Sequence, residues 1–525
     1  MKKYVVSALL ILLMVTNPLT GIVFAESEGR MNVSSVSKIS GSLDTFTASV
    51  CAGVNQITVA GHDFKPGQGI AIKDAGTSSN TNGWLITEVA NVDGNTITIA
   101  DTPSNNVQFT TVQHDDTKAV NELILTSLGT IYFDIPTMYA CGIELKSNIN
   151  YDGMGMCKIL CPVYRSTENN ITPLINAKEK RNIKFSGFVI DGGKSRGVKG
   201  NSIFGVVLLL LDDVSDVIVE NNTFQDNYYG SIMMHHKAKN VSIRNNKIFD
   251  TDVGVMGLPL WQGSLNLDNI TIDNNEITGG TSEGISIESG MYVYQNGYAN
   301  DVSILNNTIK NKASTAIVYG SRTSNSRVMG NTIENCLNGI TTRDPALEPE
   351  QGFISKSNEI AGNTIRGIKY AGMLIDGYNT KISTNKFFDT DEALILGTLY
   401  TDDLEVSENK FENCSISVGH CIKLENSKNT VIKNNTFSST KSDHLNSAIA
   451  IENNNIENAL ITGNTTSDNM RFTFGYYLSS IKDVKVMKNT VGNIVYLGYT
   501  ISQLDSLDVT LVDNNLNTNL TLATR

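Results

Sequence analysis

His235 and His236, Trp261, Glu288, Tyr292 and Tyr294, Arg322, Arg343 and Asp344, Asp376 and Tyr378 are the side chains best suited to chemistry, and they recur at comparable places in successive short apolar segments. Carboxylates and imidazoles exchange protons, arginines neutralise a developing anion, and aromatic rings stack on flat ligand faces. In "GISIES" an alternation that sends Ile285 and Ile287 inward leaves Ser286 and Glu288 outside. The same register puts His235 of "SIMMHHK", Arg343 of "GITTRDP", Asp376 of "GMLIDG", Glu425 and Glu452 on one outer face. Glu288, Arg343, Asp344, Asp376 and His235 are the candidate catalytic residues, and His236, Trp261, Tyr292, Tyr294, Arg322 and Tyr378 the candidate binding residues. Each has a plainer reading. An acid at a strand edge is ordinarily a solvated group, Arg343 beside Asp344 can be a local ion pair, and one histidine can simply pack beside Met234. Glu425, Glu452 and Lys423 lie farther along and read as surface.

A repeat must position these residues. "VENNTFQDN", "IRNNKIFDT", "IDNNEITGG", "ILNNTIKNK" and "VMGNTIENC" place an asparagine pair or Gly-Asn between apolar residues. The last asparagine of each unit falls at 222, 246, 275, 307, 331, 363, 385, 409, 435, 464, 489 and 515, in steps of 22 to 32 residues. Helical repeats keep a more constant length; short strands joined by variable loops do not need to. Three short strands per turn, each stacked about 4.8 Å above its equivalent, make a right-handed parallel β-helix. In that fold an asparagine at each tight bend can adopt left-handed torsions and bond to the asparagine of the next coil. The asparagines are therefore read as structural. The loops are longest between 275 and 307 and between 331 and 363, where they would wall a groove over the candidate residues.

These features resemble the pectate-lyase-like superfamily of right-handed β-helix proteins. The likeness extends to "HDDTKAVNELILTSLGTIYFDIPTMYACGIELKSNINYDGMG" (114–155), which is similar to that family's opening, with an Asp-Asp-Thr helix start followed by first strands. Asp116 or Thr117 is placed to cap the helix, whose apolar face would cover the open end of the strand stack. The resemblance spans roughly 110–515 and implies a protein acting on an extracellular polysaccharide. Neither the paired-Asp and Gly-His-Gly elements of polygalacturonases nor the arginine signature of pectate lyases is present, so no specific substrate follows.

Two reactions suit such a groove. In β-elimination of a uronic-acid polymer, Arg343 or His235 would take the proton beside the carboxylate while Arg322 or a calcium ion neutralises the enolate. In hydrolysis two carboxylates flank the bond. Glu288 and Asp344, two coils apart, would sit about 9.6 Å apart at the backbone, near the inverting separation of roughly 6.5–9.5 Å; Asp344 with Asp376 suits the retaining geometry. A lyase is the first expectation, a glycoside hydrolase the alternative, and a non-catalytic glycan-binding or surface protein the third. Calcium is a candidate through Asp212 with Asp213 or Asp402 with Asp403, neither of which has the loop spacing of a recognised site.

Composition bounds the rest. With 525 residues, 40% hydrophobic and 18% charged, the chain has enough apolar material for one long core. A net charge of −12 argues against nucleic acid as partner. The start of the chain has Lys2 and Lys3, an apolar run from Val5 to Val15, and small residues at Val23 and Ala25, which reads as a signal peptide over 1–25 cut after Ala25 and implies export. No later segment is long enough to span a membrane. Residues 26–110, with "VNQITVAGHDFKPGQGIAIKDAG", read as a small N-terminal β module, a barrel or sandwich, and 111–525 as the β-helix. The cysteines are seven, an odd number; Cys157 and Cys161 lack a second ligand pair and read as buried thiols.

Overall fold

The computed structural model describes residues 29–523 apart from 79–82, 164–172, 199–206, 258–263, 288–296, 321, 343–355, 415–419, 440–446, 452–454, 468–469, 475–479, 498–507 and 517–520. The expected signal peptide lies outside the described residues.

Strands of three to five residues with one apolar side cannot bury that side alone, so they stack. Each coil supplies three. The coil with Ile270–Asp273, Glu276–Thr278 and Ile285–Ile287 pairs in parallel with the next one, aligning Ile270 with Val302, Ile277 with Ile309 and Ile285 with Ile317. Where equivalents align in register, as in these strands, like side chains pile into columns. One column runs Phe224, Ile248, Ile277, Ile309, Ile333, Ile365, Phe387, Phe411 and Phe437, all buried. Its last three rings stack with centroids 4.8 Å apart and planes within 7° of parallel. The strand spacing thus doubles as an aromatic stacking distance.

The asparagine bend divides its work between two residues. The left-handed torsion falls on the residue before the recurring asparagine of each coil: Asn221, Asn245, Asn274 and Asn306, then Gly330, Gly362, Thr384, Glu408, Asn434, Gly463, Lys488 and Asp513. The asparagine that follows turns inward and is buried. Its Oδ1 accepts both the backbone N–H and the Nδ2 of the rung below, as Asn307 does from Asn275 at 2.9 and 3.0 Å, and its own Nδ2 donates to Asn331 at 3.0 Å and to the Ile272 carbonyl at 2.9 Å. The ladder continues unbroken from Asn222 to Asn514. The last rung is Asn514; Asn515, the last asparagine of its unit, lies in the following strand opposite Thr490. A single residue was expected to take both roles, and the geometry separates them because a side chain aimed at the coil below needs ordinary torsions.

The N-terminal end is closed by a helix, α1 (Thr117–Thr126), whose Ala119, Val120, Leu123 and Ile124 join the main core. The Thr117 N–H is taken by Asp115, at 2.9 Å, rather than by either expected capping residue. Asp116 is turned away to accept from the Ser40 N–H at 2.7 Å, and the Thr117 hydroxyl accepts from the Cys141 N–H. Ahead of α1, six antiparallel strands between Thr45 and His114 close a small barrel with its own core of Ile57, Val59, Ile70, Ile72, Val89, Ile97, Ile99 and Val112. Arg30–Asn32, within the span expected for that module, instead pairs in parallel with Thr130–Tyr132 and belongs to the β-helix sheet. Among the described residues, all seven cysteines are free thiols and all but Cys51 are buried, and no helix is long and apolar enough to cross a membrane.

Two measurements check this account. Asn307→Ala strips the acceptor from two buried donors of Asn275, at roughly 1–3 kcal/mol each, and should cost roughly 2–5 kcal/mol in denaturant unfolding; an unchanged midpoint would discard the ladder as a source of stability. Burial pushes the Asp116 carboxyl from its ordinary 3.8 up to about 7, with Asp115 adding to the rise. The folded chain therefore holds this proton more tightly than the unfolded chain, and the group's contribution is full below about 4 and fades as pH rises through about 7. Thermal unfolding of Asp116→Asn and the parent should diverge across that window in favour of the variant, and a difference that stays constant with pH would contradict the shift.

Candidate functional site

The third strand of each coil carries the candidate face. Along it, Leu210, Met233, Met256, Ser286, Val318, Thr341, Leu374, Ile395 and Lys423 align across successive coils. The neighbours of these positions along each strand enter the main core, so this column is on the outer side. It is nonetheless largely apolar and covered, with Met233, Met256 and Val253 forming a small second cluster and Leu374, Ile395 and Ala371 another.

Asp212 lies within the strand Leu209–Glu220 and pairs in register with His235 of the next coil. There the register shifts between Asp212 and Val214, so that Asp213 alone opposes His236 and Lys237. Asp213 and His236 are both left-handed, with φ of 52° and 51°. Such a bulge re-aims a side chain. Here it lays the His236 ring against that of His235, centroids 3.7 Å apart, and both Nδ1 atoms face one oxygen: His236 at 2.7 Å and His235 at 3.5 Å from Asp212 Oδ1. The Asp212 side chain is 6% exposed and that of His235 11%, whereas that of His236 is 41% exposed. Burial alone would raise the Asp212 carboxyl, but hydrogen bonds and charge from the two imidazoles outweigh it and hold the group below the usual carboxylate range. An ionised Asp212 accepts Nδ1–H from His236, which leaves the Nε2 lone pair as a proton acceptor.

Asp376 stands five pairings farther along, through the strands that contain Val255, Ile285, Ile317, Ile340 and Met373. At about 4.8 Å per strand this is about 24 Å, so His235 and Asp376 cannot act on one bond. Asp376 is itself a clasp. Its Oδ2 accepts from the Thr398 hydroxyl at 2.8 Å and its Oδ1 from the Tyr400 N–H at 3.1 Å, while its backbone exchanges hydrogen bonds with the Thr342 hydroxyl. Tyr378 packs on Tyr400, centroids 5.5 Å apart, and the Tyr400 hydroxyl donates to Asp402. Burial, aided by the Asp402 charge, pushes the Tyr400 phenol up to about 12. Arg322 adopts a left-handed φ of 60° and donates to the Gly297 carbonyl at 3.3 Å. Trp261, Glu288, Tyr292, Tyr294, Arg343 and Asp344 lie outside the described residues.

Of the acidic pairs considered for calcium, Asp212 turns to the imidazoles, and Asp402 accepts from Tyr400 and Asn429. Among the described residues one group has three metal-ligand side chains close together: Asp212, His235 and His236. Asp212 was not a candidate catalytic residue in the sequence, although "LLLLDD" and "SIMMHH" place a polar pair after an apolar run exactly one coil step apart.

Residues 264–411 match the family described as right handed beta helix region, and 346–521 match the one described as periplasmic copper-binding protein (NosD). No curated protein matches the chain. Solved structures with a similar course include PfbA, a surface adhesin of Streptococcus pneumoniae, at 15% identity over 78% of this chain and 88% of that one with a TM-score of 0.42. The A-module of the Azotobacter vinelandii mannuronan C-5 epimerase AlgE6 has 13% identity over 73% and 95%, with a TM-score of 0.44. The catalytic unit of a GH87 α-1,3-glucanase from Streptomyces thermodiastaticus has 14% identity over 91% and 87%, with a TM-score of 0.37. The stacked three-strand coils, the asparagine ladder and the match over 264–411 together make the chain a right-handed parallel β-helix protein.

Proposed function

We propose that this protein is exported and acts on a uronic-acid polysaccharide by β-elimination, with the Asp212–His236 pair as its proton acceptor. The observation that carries this reading is the 2.7 Å contact between Asp212 Oδ1 and His236 Nδ1 on a half-exposed ring at a bulge in the strand pairing. A base for elimination must reach the proton beside the uronate carboxylate, and Nε2 of His236 is the end of the ring left for it. The pair of electrons from that C–H bond moves through the carboxylate-stabilised carbanion to expel the glycosidic oxygen, which takes a proton from solvent water to become a hydroxyl, leaving an unsaturated uronate. His235, stacked on His236, supports its orientation. Lys178, whose Nζ is 4.0 Å from Asp212 Oδ2, offers a cation near the polymer's charge. Glu288 and Arg343 remain proposals for further contacts to the chain.

Hydrolysis is the second reading, and it rests on Glu288 and Asp344, since both oxygens of Asp376 are engaged. A polysaccharide ligand and an extracellular or periplasmic setting agree with the leader-like N-terminus and with the similarity in fold to the adhesin, the epimerase and the glucanase.

The deciding experiment incubates the chain from residue 26 with uronate-containing and neutral polysaccharides, following both the ultraviolet absorbance of unsaturated uronate and new reducing ends. Both should rise together on a uronate polymer, and His236→Ala should lower the rate by about 10²-fold or more with an unchanged unfolding curve. Reducing ends without absorbance would move the assignment to hydrolysis, and full activity in His236→Ala would remove the pair from the mechanism.

A further inference from the structure

We infer that Asp212, His235 and His236 form a binding site for a divalent transition-metal ion of the zinc class. The inference concerns the same side chains as the proposed base but does not depend on a polysaccharide substrate.

The first support is geometric. One ligand atom from each of the three residues lies within 4.8 Å of the other two. The carboxylate oxygen is 2.7 Å from one Nδ1 and 3.5 Å from the other. Ligands about 2.0–2.2 Å from a tetrahedral metal are separated by about 3.4 Å, a value near the longer contact, so a small opening of the His236 contact would seat an ion. The second support is chemical. Two imidazoles and one carboxylate suit zinc, copper and similar cations, whereas calcium and magnesium take oxygen ligands. One carboxylate leaves a bound dication with a net positive charge, in a chain whose total charge is −12.

The third support is the backbone that holds the group. Asp212 and His235 are fixed in register by strand pairing, and the bulge at Asp213 brings His236 onto the same side. Three protein ligands from paired strands are the number that catalytic zinc sites use, as opposed to the four of a closed structural site. Among the described residues Lys178 is the opposing cation contact, 4.0 Å from Asp212 Oδ2, and its side chain is 56% exposed. The group lies outside residues 346–521, so the copper in the description matched there is not its source.

An ion on Nδ1 requires the tautomer of His236 that carries its single ring proton on Nε2, in place of the one that donates from Nδ1 to Asp212. The filled site therefore cannot act as the base, and metal and proton transfer exclude one another.

The test uses the whole chain from residue 26, dialysed against chelator and then titrated with Zn(II) alone by calorimetry, with Co(II) as a spectroscopic probe. The expected result is one Zn(II) per chain, visible Co(II) absorption of a low-coordinate nitrogen and oxygen site, and no competition from calcium. Asp212→Asn and His235→Ala should each weaken Zn(II) by at least about 10-fold, judged against the 10–100-fold losses seen for mere supporting groups. His236→Gln, at the exposed position, keeps the test sound should a buried variant fail to fold, and should weaken binding as much. Absence of stoichiometric binding, or binding undiminished in His236→Gln, would overturn the site. Because no polysaccharide enters the measurement, its outcome is separate from that of the elimination assay.

Discussion

The buried asparagine amide is the interaction on which the rest depends. A polar side chain inside an apolar stack is costly unless every donor and acceptor is met. Here Oδ1 takes two donors from the rung below while Nδ2 serves a neighbouring rung and a strand carbonyl. The requirement leaves almost no freedom in register, since a slip of one residue would orphan several buried groups at once. It also explains why unfavourable torsions are tolerated next door. Thr384, Glu408 and Lys488 sit at φ between 55° and 58°, a region that costs non-glycine residues of order 1–3 kcal/mol, and each precedes a rung that holds it there.

The fold was legible because that constraint writes itself into the chain as a recurring Asn. What was misread follows from the same rule. Counting the last asparagine of each unit gave 515, but the rung is defined by the left-handed residue before it, and in "VDNNL" that residue is Asp513, which leaves Asn514 as the rung. The helix start shows a similar shift by one. Composition marked Asp-Asp-Thr as a cap, but which carboxylate takes the Thr117 N–H depends on where Ser40 approaches, a contact 76 residues away in sequence.

The face of the site was also legible, since alternation along the third strand sets His235 and Asp376 on one side. Its length was legible too, since the segments from His235 to Asp376 count six coils, but not which of those side chains converge. The five pairings between them separate the Asp212–His236 group from the Asp376 clasp. Asp212 was obscured for another reason: its partner is fixed by a bulge, and bulges have no periodic signature. The clasp made by Asp376 with Thr398 and Tyr400 likewise arises from a second register shift, between Ile375 and Gly377.

Finally, the aligned pairing has a metrical consequence. Twenty-three residues separate Asp212 from His235, and some later coils take thirty or more, yet each advances the surface by one strand spacing. The outer face is thus a graduated rule with divisions of about 4.8 Å, indifferent to how much chain is spent between marks. A linear ligand whose own repeat is commensurate with those divisions would meet equivalent positions again and again, whereas a mismatched one would fall out of phase within a few coils, so selectivity among polymers can reside in pitch as well as in any single contact.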